Sequence, residues 1–499
     1  MKLFKLLALG LMLSSTAGWA AHPFKNPQVL GKLPVLGDGR EKPLSVHAQL
    51  RMKTILGRRD TNAVENYLAL ATGGDPPGLK HRIRNPMVQA TLKLNSTDPV
   101  ISELLGHRDG LVTRYHELEK NHQEKSPTGR SLLSIVNAID TYQSIRLGQD
   151  WLLPLRHNEK LQWVPYLIID EQIHFDSETA VLKFAREQMP AQTKVLAEYY
   201  YAKSGLHFLN FLLSIIGLTL FYLSICNSTA GIGRWAWGSW CLVLGLHLVE
   251  VALRVYISGR GPVTNMYETV MWVGLGLLIF SLVLYRWTRM IFYLPAGLIG
   301  FALCSMMNNF GSTMVSPDIH PLVPVLRNNF WLSTHVTSVT ISYAAFALAW
   351  VIANAAIIIY LWKDNRAVFT DAARMAYDTN KVGLVFIVTG IILGGVWADY
   401  SWGRFWGWDP KETWSLIVTI VYSLILHGRF MGYLTPDAFI AAQAGGFLSV
   451  MMAWFGVNYI LASGLHSYGF SQNGALFLAI FFGLQLVILA AFGWKARAE

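Results

Sequence analysis

Cysteine is scarce in this chain, and the few positions it occupies exclude several chemistries. Only Cys226, Cys241 and Cys304 occur in 499 residues. All three lie in or at the edge of apolar runs, and none forms a Cys-x-x-Cys pair, which excludes dithiol redox and cysteine zinc sites. The stretch from 21 to about 203 has no cysteine, so it holds no internal disulfide. Charge is also scarce: 14% of residues are charged against 53% hydrophobic, and mean hydropathy is +0.35. That balance is too apolar for a soluble protein of this length. Internal repeats and low-complexity tracts are missing. The formal charge of +10 is not a nucleic-acid signature, and no nucleic-acid partner is expected. It fits the bias of Lys and Arg toward the inner loops of a membrane protein.

What is present is unevenly placed. A basic start, a short apolar run and Ala17-Gly18-Trp19-Ala20 read as a secretory signal over 1–20, with an uncleaved anchor as the alternative. Residues 21–204 read as an exported, mostly helical soluble domain, and 205–226 as a linking transmembrane helix. From there apolar runs of about 20 residues, the length that spans a bilayer, follow one another. We place about nine spans at 206–226, 236–257, 267–285, 290–308, 332–361, 382–398, 413–427, 436–462 and 474–494. The fold class is therefore an all-α polytopic membrane protein. Its inner loops, including 363–381, carry most of the basic residues, which puts the amino-terminal domain outside. Arg254, Arg260, Arg327, Arg404 and Lys411 are outer exceptions, suited to an anionic ligand; propionates are one candidate.

The most informative segment is Trp402-Gly-Arg-Phe-Trp406-Gly-Trp408-Asp409-Pro410-Lys-Glu412-Thr-Trp414. It concentrates four tryptophans, a phenylalanine, an arginine and two carboxylates between two spans. An aromatic belt spreads its tryptophans over many helices; one crowded loop favours a shelf for a large flat ligand. Asp409, Pro410 and Glu412 read first as a capping box for the following helix, and Asn265 to Glu268 as another. His335 and His466 flank outer loops on the same side as the tryptophans. Imidazole is the commonest metal ligand and often holds haem iron. His427, before Gly428, reads either as a favourable helix end or as an intramembrane ligand. His247 and Glu250, inside a span, invite the same suspicion; His207 is weaker. His320, His22 and the histidines of the exported domain read as ordinary surface residues.

The tryptophan segment resembles the signature of the CcsA proteins of cytochrome c biogenesis, the WWD motif of the haem-handling superfamily. Ser258-Gly-Arg-Gly-Pro-Val-Thr-Asn-Met-Tyr-Glu268, Trp331-Leu-Ser-Thr-His335-Val336 and Gly464-Leu-His466-Ser-Tyr468 support the resemblance, which covers 227–499. Leu33 to Leu44 is similar to the outer segment of fused CcsB–CcsA synthetases. The resemblance implies haem b as the bound group, taken from the cytoplasmic side and presented outside to an apocytochrome c Cys-x-x-Cys-His segment for thioether formation. By position, His335 and His466 would be the outer iron ligands, with Trp402, Trp406, Trp408, Asp409 and Arg404 around the haem. His427 would be an inner ligand, and His247 is the only other histidine placed within the bilayer. In the fused synthetases the second inner histidine comes from CcsB helices before the outer domain; a signal-like segment stands there in this chain, so that ligand is missing or supplied in trans by a CcsB-type membrane subunit as partner, with thiol-reducing proteins as further partners. The implied setting is the bacterial inner membrane. No catalytic nucleophile or base is assigned, and assignment to a holocytochrome c synthase complex rests on the resemblance alone. A haem transporter that does not join haem, and a membrane haem-b electron carrier, are the alternative functions.

Overall fold

The computed structural model describes residues 24–498 except 75, 77, 84, 93–95, 125, 228–229, 312–313, 323–328 and 462–473. The signal-like segment 1–20 lies outside the described residues. The chain divides into two compact units, Met1–Lys203 and Ser204–Glu499.

The first unit is helical with two small hairpins. Strands β1 (Pro34–Gly37) and β2 (Arg40–Pro43) pair antiparallel, Pro34 opposite Pro43. Their turn is Asp38-Gly39, both at positive φ, the conformation that matches strand twist in a two-residue turn. This is the Leu33–Leu44 segment, and it feeds directly into α1 (Leu44–Leu56). Helices α2 (Ala63–Ala71), α3 (Arg108–Lys120) and α4 (Pro127–Arg146) follow. Strands β3 (Leu152–His157) and β4 (Lys160–Pro165) form the second hairpin. Helices α5 (Glu178–Gln188) and α6 (Thr193–Lys203) end the unit. Trp151 stacks on Tyr166 at 3.9 Å within its core.

Two histidines of this unit correct the surface assignment made from sequence: His47 is 0% exposed and His81 1%. His47 Nε2 lies 2.7 Å from Asp150 Oδ2, which also accepts from Tyr67 Oη at 3.0 Å, while Arg51 Nε lies 2.9 Å from Oδ1. Nε2 therefore carries the proton donated to the carboxylate. Nδ1 is buried without a hydrogen-bond partner and faces Gly37, which has no room for a side chain there. A proton on Nδ1 would find no acceptor, so burial pushes the imidazole's pKa down despite the Asp150 carboxylate. Burial alone would raise the Asp150 pKa, but His47, Arg51 and Tyr67 outweigh it and hold the group below its usual range.

The second unit is a bundle of nine long helices among the described residues. They are α7 (Leu206–Asn227), α8 (Ala230–Ser258), α9 (Met266–Thr288), α10 (Tyr293–Phe310), α11 (Thr337–Lys363), α12 (Val368–Trp402), α13 (Pro410–Phe430), α14 (Pro436–Met451) and α15 (Gly474–Ala498). Two π stretches adjoin them, Leu332–Val336 before α11 and Met452–Leu461 after α14. Eight of the nine segments are long and apolar enough to cross a membrane, and the chain is a multi-pass membrane protein. The other is α10, 18 residues long, about 27 Å at 1.5 Å per residue. Sequence placed 363–381 in an inner loop, but α12 is one helix of 35 residues from Val368. It is about 52 Å long, so its polar first turns run beyond the roughly 30 Å hydrocarbon core. Polar residues on a helix that leaves the membrane look like a loop to a hydropathy reading.

Helices α11 and α12 run antiparallel and pack large against small. A Cβ at Gly383 would come within 2.6 Å of Phe346, and one at Gly390 within 2.6 Å of Val339. Small residues of this kind let membrane helices approach closely.

The buried His47 gives a pH prediction. Its folded pKa is depressed, so the unfolded chain takes up the proton first as pH falls. The stabilisation is complete above the unfolded value of about 6.5 and declines below it, by up to about 1.4 kcal/mol per pH unit. Protection of the α1 amides in the intact protein, taken relative to the intrinsic exchange rate at each pH, should fall between pH 7 and 5. In His47→Gln this pH dependence should weaken, the buried His81, whose pKa burial also lowers, retaining part of it; an unchanged dependence would refute the account.

Candidate functional site

The segment between α12 and α13 is a short strained arch. Gly403 ends α12 at φ 68°. Trp408 sits at φ 58°, a conformation that a bulky residue adopts only when its surroundings enforce it. The enforcement comes from Glu412. Its Oε2 accepts from Gly407 N at 2.7 Å and from Asp409 N at 3.1 Å, the amides on either side of Trp408. Asp409 in turn caps α13, accepting from Lys411 N at 2.8 Å, and the full capping box is formed. One carboxylate thus closes the helix end and holds the bend that throws Trp408 outward, where it is 70% exposed. Trp406 meets Trp408 edge-on at 5.8 Å. Lys411 donates to Ala453 O at 3.1 Å, a carbonyl in the π stretch after α14.

The second expected capping box is only half present. Asn265 caps α9, accepting from Glu268 N at 2.8 Å. The Glu268 carboxylate turns elsewhere, to Thr264 N at 2.9 Å and to the buried Arg254 at 2.8 Å. Arg254 also donates to Pro317 O at 2.7 Å. Arg260 binds His320 O at 2.7 Å. These arginines organise the loop walls, and with Lys411 they are committed to protein groups.

Five helix ends enclose an open cleft of about 1150 Å³, mouth included. Its walls are the start of α9 (Asn265, Met266, Thr269), the π stretch and start of α11 (His335, Val339, Tyr343), the end of α12 (Gly394, Trp397), the arch (Phe405, Trp406, Glu412) and the π stretch after α14 (Trp454, Asn458). His335 Nδ1 lies 2.7 Å from Gly390 O. A carbonyl only accepts, so Nδ1 carries the proton and Nε2 of the neutral ring keeps the lone pair. Metal-binding histidines use this same arrangement. Trp397 packs against the His335 ring at 5.8 Å and against Trp402 at 6.4 Å. Hydroxyls at Thr334, Thr337, Ser338 and Thr340 bond back to carbonyls at the irregular start of α11, keeping those groups satisfied in an apolar setting.

Of the residues singled out from sequence, His335, Trp406, Lys411 and Glu412 line the cleft, and Asp409, Trp402 and Trp408 adjoin it. Arg404 lies against Gly407 at the arch. His466 and Arg327 are outside the described residues. His427 is elsewhere: 17 residues into α13, about 26 Å along it, exposed, with Nδ1 donating to Ser423 O at 2.8 Å. His247 is buried on α8, with ring nitrogens 3.3 Å from Glu250 and 3.0 Å from Met271 O. Glu250 also binds His207, which meets Tyr267 Oη at 2.9 Å. His207, weak from sequence, therefore belongs to a polar cluster. Phe405 was marked only as part of the tryptophan segment, and Trp397, Trp454 and the glycines of α12 had no sequence signal beyond their residue types.

A family model described as cytochrome C assembly protein matches residues 263–466. Protein NrfI of Wolinella succinogenes is 34% identical over 304 residues, 57% of this chain and 32% of NrfI. This chain thus corresponds to about a third of that relative's length. The cytochrome c biogenesis protein CcsA of Chlorella vulgaris is 30% identical over 277 residues, 48% of this chain and 86% of that protein. The likeness to the solved cytochrome c haem lyase CcmF is slight, with a TM-score of 0.42 and 15% identity over 57% of this chain and 50% of the other.

The arch account predicts the effect of removing its clamps. Asp409→Ala should destabilise the inserted protein by about 1 kcal/mol, the usual loss of a helix cap. Glu412→Ala should do more, because it also releases Trp408, while Glu412→Gln keeps an acceptor and most of the stability. Thermal melting in detergent measures all three; equal melting of Glu412→Ala and wild type would defeat the clamp.

Proposed function

Because this chain belongs to the cytochrome c assembly family of the CcsA proteins, we propose that it holds haem b in the outer cleft and presents it to apocytochrome c for covalent attachment. The observation that carries this reading is His335, set in an aromatic cleft with its Nδ1 proton given to Gly390 O. Such a ring offers Nε2 to a metal, and a hydrogen-bonded Nδ1 raises its basicity. The cleft has the character of a cofactor site: largely apolar walls with a few placed polar groups. The residues present fit haem. His335 and His466 are the proposed iron ligands, Trp406 and Phe405 the flat contacts, with Trp408 against Trp406 and Trp402 against Trp397, and Arg404 the partner for a propionate.

Bound haem supplies two vinyl groups, and two cysteine thiols add across them, each S–H giving a C–S and a C–H bond. The chain needs no nucleophile of its own for this. His335, Trp406 and Phe405 would hold the group in the cleft, and fixed proximity would raise the effective concentration of thiol and vinyl. Imidazoles holding the iron would also tune its potential. Reduced thiols on the apocytochrome are needed, which gives thiol-reducing proteins a place beside it.

We assign the site to the outer face of the bacterial inner membrane, with the first unit on the same side, as the loop charges favour. The second inner ligand is proposed to come from a CcsB-type subunit. His427 is exposed on α13, open to a neighbouring helix. His247 is poorly suited to complete the site with it. Met271, which His247 touches, is the sixth residue of α9, only about 8 Å from the cleft end. His427 is about 26 Å from that end, so the two imidazoles differ in depth by nearly 20 Å.

Two outcomes test the reading. His335→Ala should abolish maturation of a co-expressed cytochrome c, and added imidazole should restore part of it by filling the iron position. Trp406→Ala should lower haem content with the protein still inserted. Haem that is acid-extractable from the client would indicate a carrier that does not join it, and full maturation by His335→Ala would remove the assignment. For the inner site, haem bound by the complex with a CcsB-type subunit should fall in His427→Ala and be indifferent to His247→Ala.

A further inference from the structure

The position of the His335 ring is set by helix packing. Counting along antiparallel α11 and α12, Phe346, Val339 and His335 oppose Gly383, Gly390 and Gly394. The spacings are seven and four residues on both helices, so all three pairs share one face. Each glycine receives one large side chain, and His335 is the last in the series. A Cβ at Gly394 would stand 2.5 Å from His335 Cε1, 2.8 Å from Nδ1 and 3.2 Å from Nε2. The imidazole therefore lies flat against the bare backbone of α12. One turn earlier, Gly390 O takes its Nδ1 proton at 2.7 Å. Gly395, the next residue, leaves the space that the Phe405 ring fills. The Trp397 ring meets the imidazole edge-on at 5.8 Å.

We propose that Gly394 is a positioning residue for the outer iron ligand: its missing side chain, with the Gly390 carbonyl, fixes the plane and tautomer of the His335 imidazole. This rests on the reading of His335 as that ligand and adds a device on α12 that sets it. An alanine at 394 displaces the ring from Gly390 O. Nε2 then leaves the line on which it meets the iron, even though the histidine remains.

The experiment compares purified, haem-loaded intact proteins by absorption spectroscopy, with and without added imidazole. Gly394→Ala should lose the six-coordinate low-spin spectrum and regain it with imidazole. Gly383→Ala disturbs the same helix contact 11 residues away and should keep the native spectrum per haem, even where yield falls. Should Gly394→Ala damage folding, the double variant His335→Gly/Gly394→Ala decides. With the tethered ring gone, the added methyl has nothing to strike, so the double variant should match His335→Gly in yield and imidazole-restored spectrum. A native spectrum in Gly394→Ala, the same spectral loss in Gly383→Ala, or a double variant worse than His335→Gly would each overturn the proposal. A native spectrum in His335→Gly alone would instead overturn the ligand reading and leave the packing result standing.

Discussion

The close approach of α11 to α12 is the contact on which the outer cleft depends. Lipid gives two apolar helices no hydrophobic reason to associate, so association rests on packing and on polar contacts. Gly383 and Gly390 let α12 take Phe346 and Val339 into its surface, and that interlock fixes the register of the two helices. Register then decides where the ends of the helices fall. His335 reaches Gly390 O, and Trp397 comes to stand beside the imidazole with Trp402 stacked against Trp397. The arch leaves from the end of α12, so its tryptophans inherit their place from the same contact.

The second constraint is that every polar backbone group in an apolar setting needs a partner. The structure meets it where regular helix fails. The two π stretches leave carbonyls out of α-helical pattern; serine and threonine hydroxyls take up those before α11, and Lys411 takes up Ala453 O after α14. Glu412 answers two amides of the arch. Charged residues at this end of the bundle thus serve mainly as backbone partners. Arg254, Arg260 and Lys411 were attractive from sequence as anion binders because they sit on the side that normally lacks cations. Their commitments to Glu268, Pro317 O, His320 O and Ala453 O explain them otherwise.

What sequence made legible was local. The capping box at Asp409 and Glu412 is a pattern within four residues, and it is present as read. Apolar length marked the spans, and the crowding of tryptophans marked the loop at the cleft. What it hid depends on distant pairing. His335 and Gly390 are 55 residues apart, and His47 and Asp150 are 103 apart; nothing near either residue announces the other. Glu268 was misread as half of a capping box because a buried arginine on another helix competed for its carboxylate. The start of α12 was misread because its helix outlasts the apolar run that marks a span.

On the proposed reading, α13 carries an outer arch at one end and an inner imidazole near the other. Both ends are tied. At the arch, Asp409, Glu412 and Lys411 bond to backbone groups around them. At the other end, Arg429 holds Leu434 O at 2.8 Å and Gly428 accepts from Leu434 N at 3.0 Å. Sliding α13 by one turn, about 5.4 Å, would break the contacts at the arch while covering only a fifth of the roughly 26 Å between His427 and the cleft. A helix shift is therefore a poor carrier across that distance. The spacing of the two sites is a fixed property of the helix, and any cargo passing between them must leave one imidazole before it reaches the next. Transfer then depends on what lines the interval between the cleft and the exposed His427.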